Sequence, residues 1–339
     1  MICLPLLALM NQGPLPDFAT LPHARKYGCV RVEVAPAIDG DLDHPVWKSA
    51  PWSENFMDIE GPQHVPQPRL RTRVKMLWDQ KNLYVGAELE EPQIWATLTE
   101  RDSVIFHDND FEIFLDPDDD NHQYVEFEMN ALNTVWDLLL PKPYRDGGPA
   151  INLFDMRHLR SAVKIDGKLN DPAATSEKWT LTVAIPWQDI SAVSTRRVPP
   201  AIGDRWRINF SRVEWDLGVE RGKFEKVTGR PEHNWVWSPQ WVVNMHWPEM
   251  WGFLEFQGAS SKPVSDDPNW RTRMELMNIY HQQKAFFEQH QRWAKSLKEL
   301  GSSSKAYYLA WEGVWLASLP GAKGETLTVR EDSRLTVTN

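Results

Sequence analysis

The sequence predicts a mainly β protein, an antiparallel β-sandwich carrying one C-terminal helix and a short hairpin. Three observations predict it. Apolar and polar residues alternate with period two over residues 72–78, 83–89, 111–115 and 124–129. Turn-forming residues separate these runs, as in Asp79-Gln80-Lys81-Asn82 and Asp116-Pro117-Asp118-Asp119-Asp120-Asn121. Helical spacing is sustained in one place only, after Pro268.

Taken in order, the chain opens with the apolar run MICLPLLALM, read as a weak or truncated export signal or else an irregular N-terminus. The export reading places the protein outside the cytoplasm, extracellular or periplasmic. Residues 1–26 form this N-terminal segment and linker. A strand is expected near residues 30–34. Asp39-Gly40 then turns the chain, and Asp43 to Trp47 forms a short helical turn that plugs an indole into the core. Residues 72–89 read as a hairpin. Residues 101–140 read as a strand pair whose outer face presents Asp110, Glu112, Glu126 and Glu128. Further strands are expected around 159–165, 179–185, 205–213 and 253–256, with a long loop over 214–234. The sandwich spans 27–258. From 262 to 339 lies an extension: Asp267-Pro268 starts the helix, Gly301 marks a stop, and residues 327–330 and 334–338 flank a turn.

Composition excludes some functions. A formal charge of -10 argues against nucleic acid or anionic lipid as partner, and no apolar run is long enough to span a membrane. Two cysteines, Cys3 and Cys29, give no disulfide framework. Eighteen tryptophans are many. Trp47, Trp78 and Trp206 sit at core positions, whereas Trp235, Trp237, Trp241 and Trp247 crowd a proline-interrupted segment and are candidates for stacking a ligand.

IDGDLDHPVW, VKMLWDQKNLYVGAELEEP, DNDFEIFLDP, FEMNALNT and WSP followed by HWPEMWGFLEF resemble, in order and spacing, the family 9 carbohydrate-binding modules and their DOMON-like relatives over about residues 30–257. The resemblance implies a sandwich that binds sugar non-catalytically, in the company of secreted glycoside hydrolases, and in some members a structural calcium. It assigns sugar contacts to Glu112 and Asn130. The two tryptophans that clamp a sugar in the family fall on Phe106 and close to Met245, beside His246 and Trp247, and the family arginine is replaced by Glu128. Trp136 or Trp247 would restore a stacking platform. The candidate carbohydrate site is therefore Phe106, His107, Asp108, Glu112, Asn130, Trp136, Met245, His246 and Trp247.

Other chemistries compete with this one. Asp116, Asp118 and Asp120 form either a solvated acidic turn or a calcium loop that lacks the EF-hand glycine and glutamate. Asp110 and Glu112 lie on one face of one strand, whereas glycoside hydrolysis needs two carboxyls facing across a bond. A b-type haem, as in electron-transfer relatives, would use Met129, Met245 or His246 as axial ligands. A sandwich serving only structure or interaction is the third reading.

Overall fold

The computed structural model describes residues 16–339, so the apolar N-terminal run and Cys3 lie outside the described residues. The strands, in chain order, begin with β1 (Lys26–Arg31), β2 (Met57–Asp58), β3 (Thr72–Trp78), β4 (Asn82–Glu90), β5 (Asp110–Asp116), β6 (Tyr124–Asn130) and β7 (Val135–Leu140). They continue with β8 (Arg160–Asp166), β9 (Lys178–Pro186), β10 (Arg205–Glu214), β11 (Leu217–Glu220), β12 (Lys223–Lys226), β13 (His233–Val236) and β14 (Gly252–Phe256). A one-turn helix α1 (Trp187–Ile190) follows β9. The extension holds helix α2 (Trp270–His290) and strands β15 (Tyr307–Trp311), β16 (Val314–Pro320), β17 (Thr326–Arg330) and β18 (Leu335–Thr338).

The main sheet runs β7-β6-β5-β10-β14-β1-β3-β4-β9-β8 and curls into two facing layers. β10 pairs β14 along its first half and β13 along its second, on the edge away from β5. β1 joins the layers, with residues 26–29 beside β14 and residues 30–31 beside β3. Both of these pairings are parallel, so the expected sandwich is present but not wholly antiparallel. Long connections separate β1 from each partner, and no tight turn dictates the opposite direction.

Period two decides what fills the space between the layers. Phe111, Ile113 and Leu115 of β5 and Val125, Phe127 and Met129 of β6 point inward against Val74, Met76, Val85, Leu181 and Val183. Trp78, Trp206, Trp235 and Trp237 join this core. Trp47 is also fully buried, but on the outer side of the other layer, among Leu77, Tyr84 and Ala184. The Asp39-Gly40 turn that leads to it is pinned to β9: Thr182 Oγ1 accepts from Gly40 N, and Thr180 Oγ1 donates to Gly40 O. Gly40 has φ +81°, and a Cβ there would meet the Lys164 backbone nitrogen at 2.4 Å.

Two segments hold more structure than expected. The 214–234 region contains the β11–β12 hairpin. The C-terminal pair of strands is part of a four-stranded antiparallel meander, β15-β16-β17-β18. α2 starts one turn after Asp267, with Asn269 N donating to Asp267 Oδ1, and ends at Gln291 in the left-handed region, not at Gly301. Its inner face, Trp270, Met274, Met277 and Tyr280, shares a second core with Trp315 and Val329 of the meander and with Phe18, Trp247 and Phe253.

Candidate functional site

The face of β5 and β6 opposite the main core is polar. One cross-strand row reads Ser211 (β10), Glu112 (β5), Glu128 (β6) and Trp136 (β7), each the register partner of the next. Asp110 and Glu126 flank the row on the same face by the two-residue period of the strands. The sequence placed these four carboxylates together but facing outward into solvent. They are instead covered: Asp110, Glu112, Glu126 and Glu128 are all at most 5% exposed. Ile105, Phe106, Met245 and Trp251, from outside the paired strands, pack with Trp136, Leu138 and Val236 of the sheet and close over this side.

Burial dominates the electrostatics. It drives Asp110, Glu126 and Glu128 well above the usual carboxylate range, reinforced by mutual repulsion, and pushes Glu112 up to about 7. Hydrogen bonds offset little of this. Val213 N donates to Asp110 Oδ1 (3.1 Å) and Phe106 N to Glu128 Oε2 (3.0 Å). The Ser211 hydroxyl lies near enough to Glu112 to oppose its upward shift, yet makes no hydrogen bond of acceptable geometry. Asp110 Oδ2, Glu126 Oε2, Ser211 Oγ and Trp136 Nε1 are buried without partners. Buried polar atoms are normally satisfied, so four orphans on one face mark a place built for something else to bond.

Aromatic side chains border the row. Phe106 is half-buried, with the exposed His107 ring against its edge at 4.9 Å, and its carbonyl accepts from Trp215 Nε1 (2.9 Å). Lys226 of the β11–β12 hairpin lies over Trp215, 3.5 Å from the ring centre. His246 Nδ1 pairs with Tyr124 OH (3.0 Å), and the His246 ring meets Tyr144 edge-on at 4.4 Å. Burial, with Arg145 nearby, lowers the His246 pKa to about 3 and keeps the imidazole neutral. Burial raises the Tyr144 phenol, and the charges of Glu126 and Glu128 raise it further, which places Tyr144 within their field. The Met245 carbonyl accepts from Trp251 Nε1 (2.8 Å) in the covering layer. Ser211, Tyr124, Tyr144 and Trp215 carried no motif by which the sequence could single them out.

Several expected site residues do other work. Asp108 accepts from Thr97 N, Thr97 Oγ1 and Leu98 N (each 2.8 Å) and from Asn130 Nδ2 (3.0 Å). Asn130 also donates to Leu98 O and accepts from Leu132 N and Thr134 N, so its amide has no free valence for a sugar. Asp108 and Asn130 are a clasp that holds the 97–98 loop to the β6–β7 turn. Trp247 is 3% exposed and stacks on Phe18 and His281 in the second core, away from the carboxylate row.

The acidic turn does not fit a calcium ion, because backbone and side-chain donors already occupy its oxygens. Asp116 accepts from the N–H groups of residues 118, 119, 120 and 121. Asp118 accepts from Ser194, Thr195 and Arg196, and Asp120 from His122 N and Arg334 Nε. The turn is a docking point for the extension. Arg273 of α2 and Arg207 of β10 both pair with Asp119, and Asn121 Nδ2 donates to Ser333 O. The haem reading fails on placement. Met129 lies in the core between the layers, whereas Met245 and His246 lie over the opposite face, so one iron could not take both.

Residues 38–140 match the family model described as carbohydrate family 9 binding domain-like. The matched family 9-like segment contains β5, β6 and β7, and hence Glu112, Glu128 and Trp136 of the row. Endo-1,4-beta-xylanase A of Thermotoga neapolitana is 28% identical over 129 residues, covering 37% of this chain and 11% of that enzyme. The chain thus corresponds to about a tenth of that relative's length. A Bacteroides uniformis protein described as carbohydrate-binding superposes over 69% of this chain and all of its own, with TM-score 0.51 and 16% identity. That likeness establishes the fold. A family 9 carbohydrate-binding module from Caldicellulosiruptor kristjanssonii, in complex with cellotriose, covers 71% of this chain with TM-score 0.44 and 16% identity.

Proposed function

We propose that this protein binds carbohydrate at the Ser211–Glu112–Glu128–Trp136 row and does not turn it over. The observation that carries the reading is the row's unsatisfied polar atoms, bordered by Phe106, Tyr144 and His246. A pyranose offers paired hydroxyls to carboxylates and an indole N–H, and an apolar C–H face to an aromatic ring. The family 9-like match over residues 38–140 supports the same chemistry. Binding without hydrolysis is favoured because the carboxylates crowd one face of one sheet, where they cannot stand on both sides of a glycosidic bond. The xylanase relative supports work beside a glycoside hydrolase, and the family 9-like match supports a place outside the cytoplasm. Among the described residues no helix is long and apolar enough to cross a membrane.

The test is titration of the purified chain with a panel of soluble glycans, read by tryptophan fluorescence and calorimetry. One class of glycan should bind, and Glu112→Gln should weaken it about 10- to 100-fold, the cost of a hydrogen bond to a charged group. A panel without binding would leave the sandwich as a structural or interaction domain. Reducing ends released from a polysaccharide by the parent and not by Glu112→Gln would make it an enzyme.

A further inference from the structure

Asp110, Glu112 and Glu128 each offer one carboxylate oxygen, and the three atoms lie within 4.8 Å of one another at buried positions. Acidic clusters often just share protons, so the cluster alone decides nothing. A second observation is independent of it. Ser211 Oγ, a hydroxyl outside the carboxylate cluster, is fully buried on the same face without a hydrogen-bond partner. Ser211 is the register partner of Glu112. Among the described residues no Lys or Arg pairs with Asp110, Glu112, Glu126 or Glu128, unlike Arg212, which sits between Glu91 and Glu214. A surplus of hard oxygens with no positive partner is the donor set of a hard cation. Ligand type and number then select among cations: magnesium keeps several waters and takes one or two carboxylates, whereas calcium accepts several protein oxygens directly.

We propose that Asp110, Glu112 and Glu128 hold one divalent cation of calcium's size, with Ser211 Oγ completing its oxygen shell from the protein side. The ion offsets two of the buried negative charges and fixes the covering layer over β5 and β6. Positions left open on it would accept paired hydroxyls, a link that rests on the carbohydrate reading. The ion itself is tested without sugar, so the two ideas fail separately.

The experiment uses the full chain stripped with a chelator, and terbium(III) as a calcium surrogate excited through tryptophan. Trp136, the register partner of Glu128, and Trp251 in the same cluster are the antennae. Terbium should emit, calcium should displace it, and an equal concentration of magnesium should not. Calcium at about 100 times its Kd should raise Tm by about 3–6 °C. Glu128→Gln, or Asp110→Asn should the first variant not fold, should weaken both effects at least about tenfold by removing a charged ligand. Trp136→Phe should dim the emission and keep the calcium-dependent Tm. Asp58, Glu60 and His64 also bring three ligand atoms together, so Asp58→Asn is the control. Two results would overturn the proposal. One is a parent Tm indifferent to about 5 mM calcium, beyond the range of weak extracellular calcium sites. The other is emission that disappears in Asp58→Asn and survives in Glu128→Gln.

Discussion

The indole of Trp247 stacks on the imidazole of His281, ring centroids 4.6 Å apart and planes 26° from parallel, with Phe18 on both. This sandwich of rings joins the 241–251 loop to α2 and takes Trp247 out of the candidate cleft. Trp247→Ala should therefore act on stability, costing about 3–5 kcal/mol as large-to-small core substitutions do. Denaturant titration would measure that loss. At a temperature where the variant stays folded, its affinity for any glycan the parent binds should be unchanged. A selective loss of binding in folded protein would return Trp247 to the site.

Behind that stack lies a buried ion pair. Arg145 Nη2 donates to Glu249 Oε2 at 2.8 Å, and His281 Nε2 approaches Glu249 Oε1 at 3.4 Å. Burial raises the Glu249 pKa, but Arg145 and His281 together pull it down to about 2. A carboxylate whose folded pKa is depressed contributes stability above its unfolded pKa, about 4.3, and loses it as pH falls toward the folded value. Burial lowers His281, which must gain a proton in acid, so both groups act in one direction. Thermal melts from pH 6 to pH 3 should show a falling Tm, and Glu249→Gln should flatten that slope while lowering Tm at pH 6. Arg145→Ala should cost about 3–5 kcal/mol at neutral pH, the penalty for stranding a buried charge.

The acidic turn gives a third test. Asp119 bridges Arg207 and Arg273, linking β10 to α2. Asp119→Ala leaves two buried guanidiniums short of a partner, and about 3–5 kcal/mol should be lost. Limited proteolysis should then cut residues 258–268 faster than in the parent. Calcium-dependent stability should be untouched, because the oxygens of this turn are committed to N–H and O–H donors. If the calcium-dependent Tm shift vanishes in Asp119→Ala, the turn binds the ion after all.

How far the sequence could be read depended on the distance over which each residue finds its partners. Alternation along β5 and β6 places Glu112 and Glu128 on one face without any knowledge of the fold. Their burial was not legible, because the cover comes from residues 98–106 and 236–251, which nothing local ties to the sheet. The fate of Trp247 hangs on α2, and that of Asp119 on Arg273, 154 residues away. Some misses were local. Arg221 and Gly222 both have positive φ and turn the β11–β12 hairpin, but the arginine hides a signal that Asn-Gly would have given. The Glu312-Gly313 turn between residues 307–311 and 314–319 is a local hairpin signal, legible without the fold. Asn130 was chosen by family resemblance, which marks a position without showing whether its amide is already spent.

Trp136 offers the sharpest test of the row itself. Its ring is 8% exposed and lies beside Glu128, and its Nε1 is a buried donor without an acceptor. Leaving such a donor unsatisfied costs about 1–3 kcal/mol in the free protein, and a ligand oxygen that reaches it recovers that cost on binding. Trp136→Phe removes the donor together with part of the ring. Packing is lost and the orphan disappears, and the two effects oppose each other, so Tm should move little. Affinity has no such offset, since the variant can neither donate to a hydroxyl nor present an indole face. Binding of the best panel glycan should fall about 5- to 150-fold, the span of about 1–3 kcal/mol. Calorimetry on the parent and Trp136→Phe at matched temperature measures it. Equal affinities with equal stability would show that the row's unsatisfied atoms are not where the sugar binds.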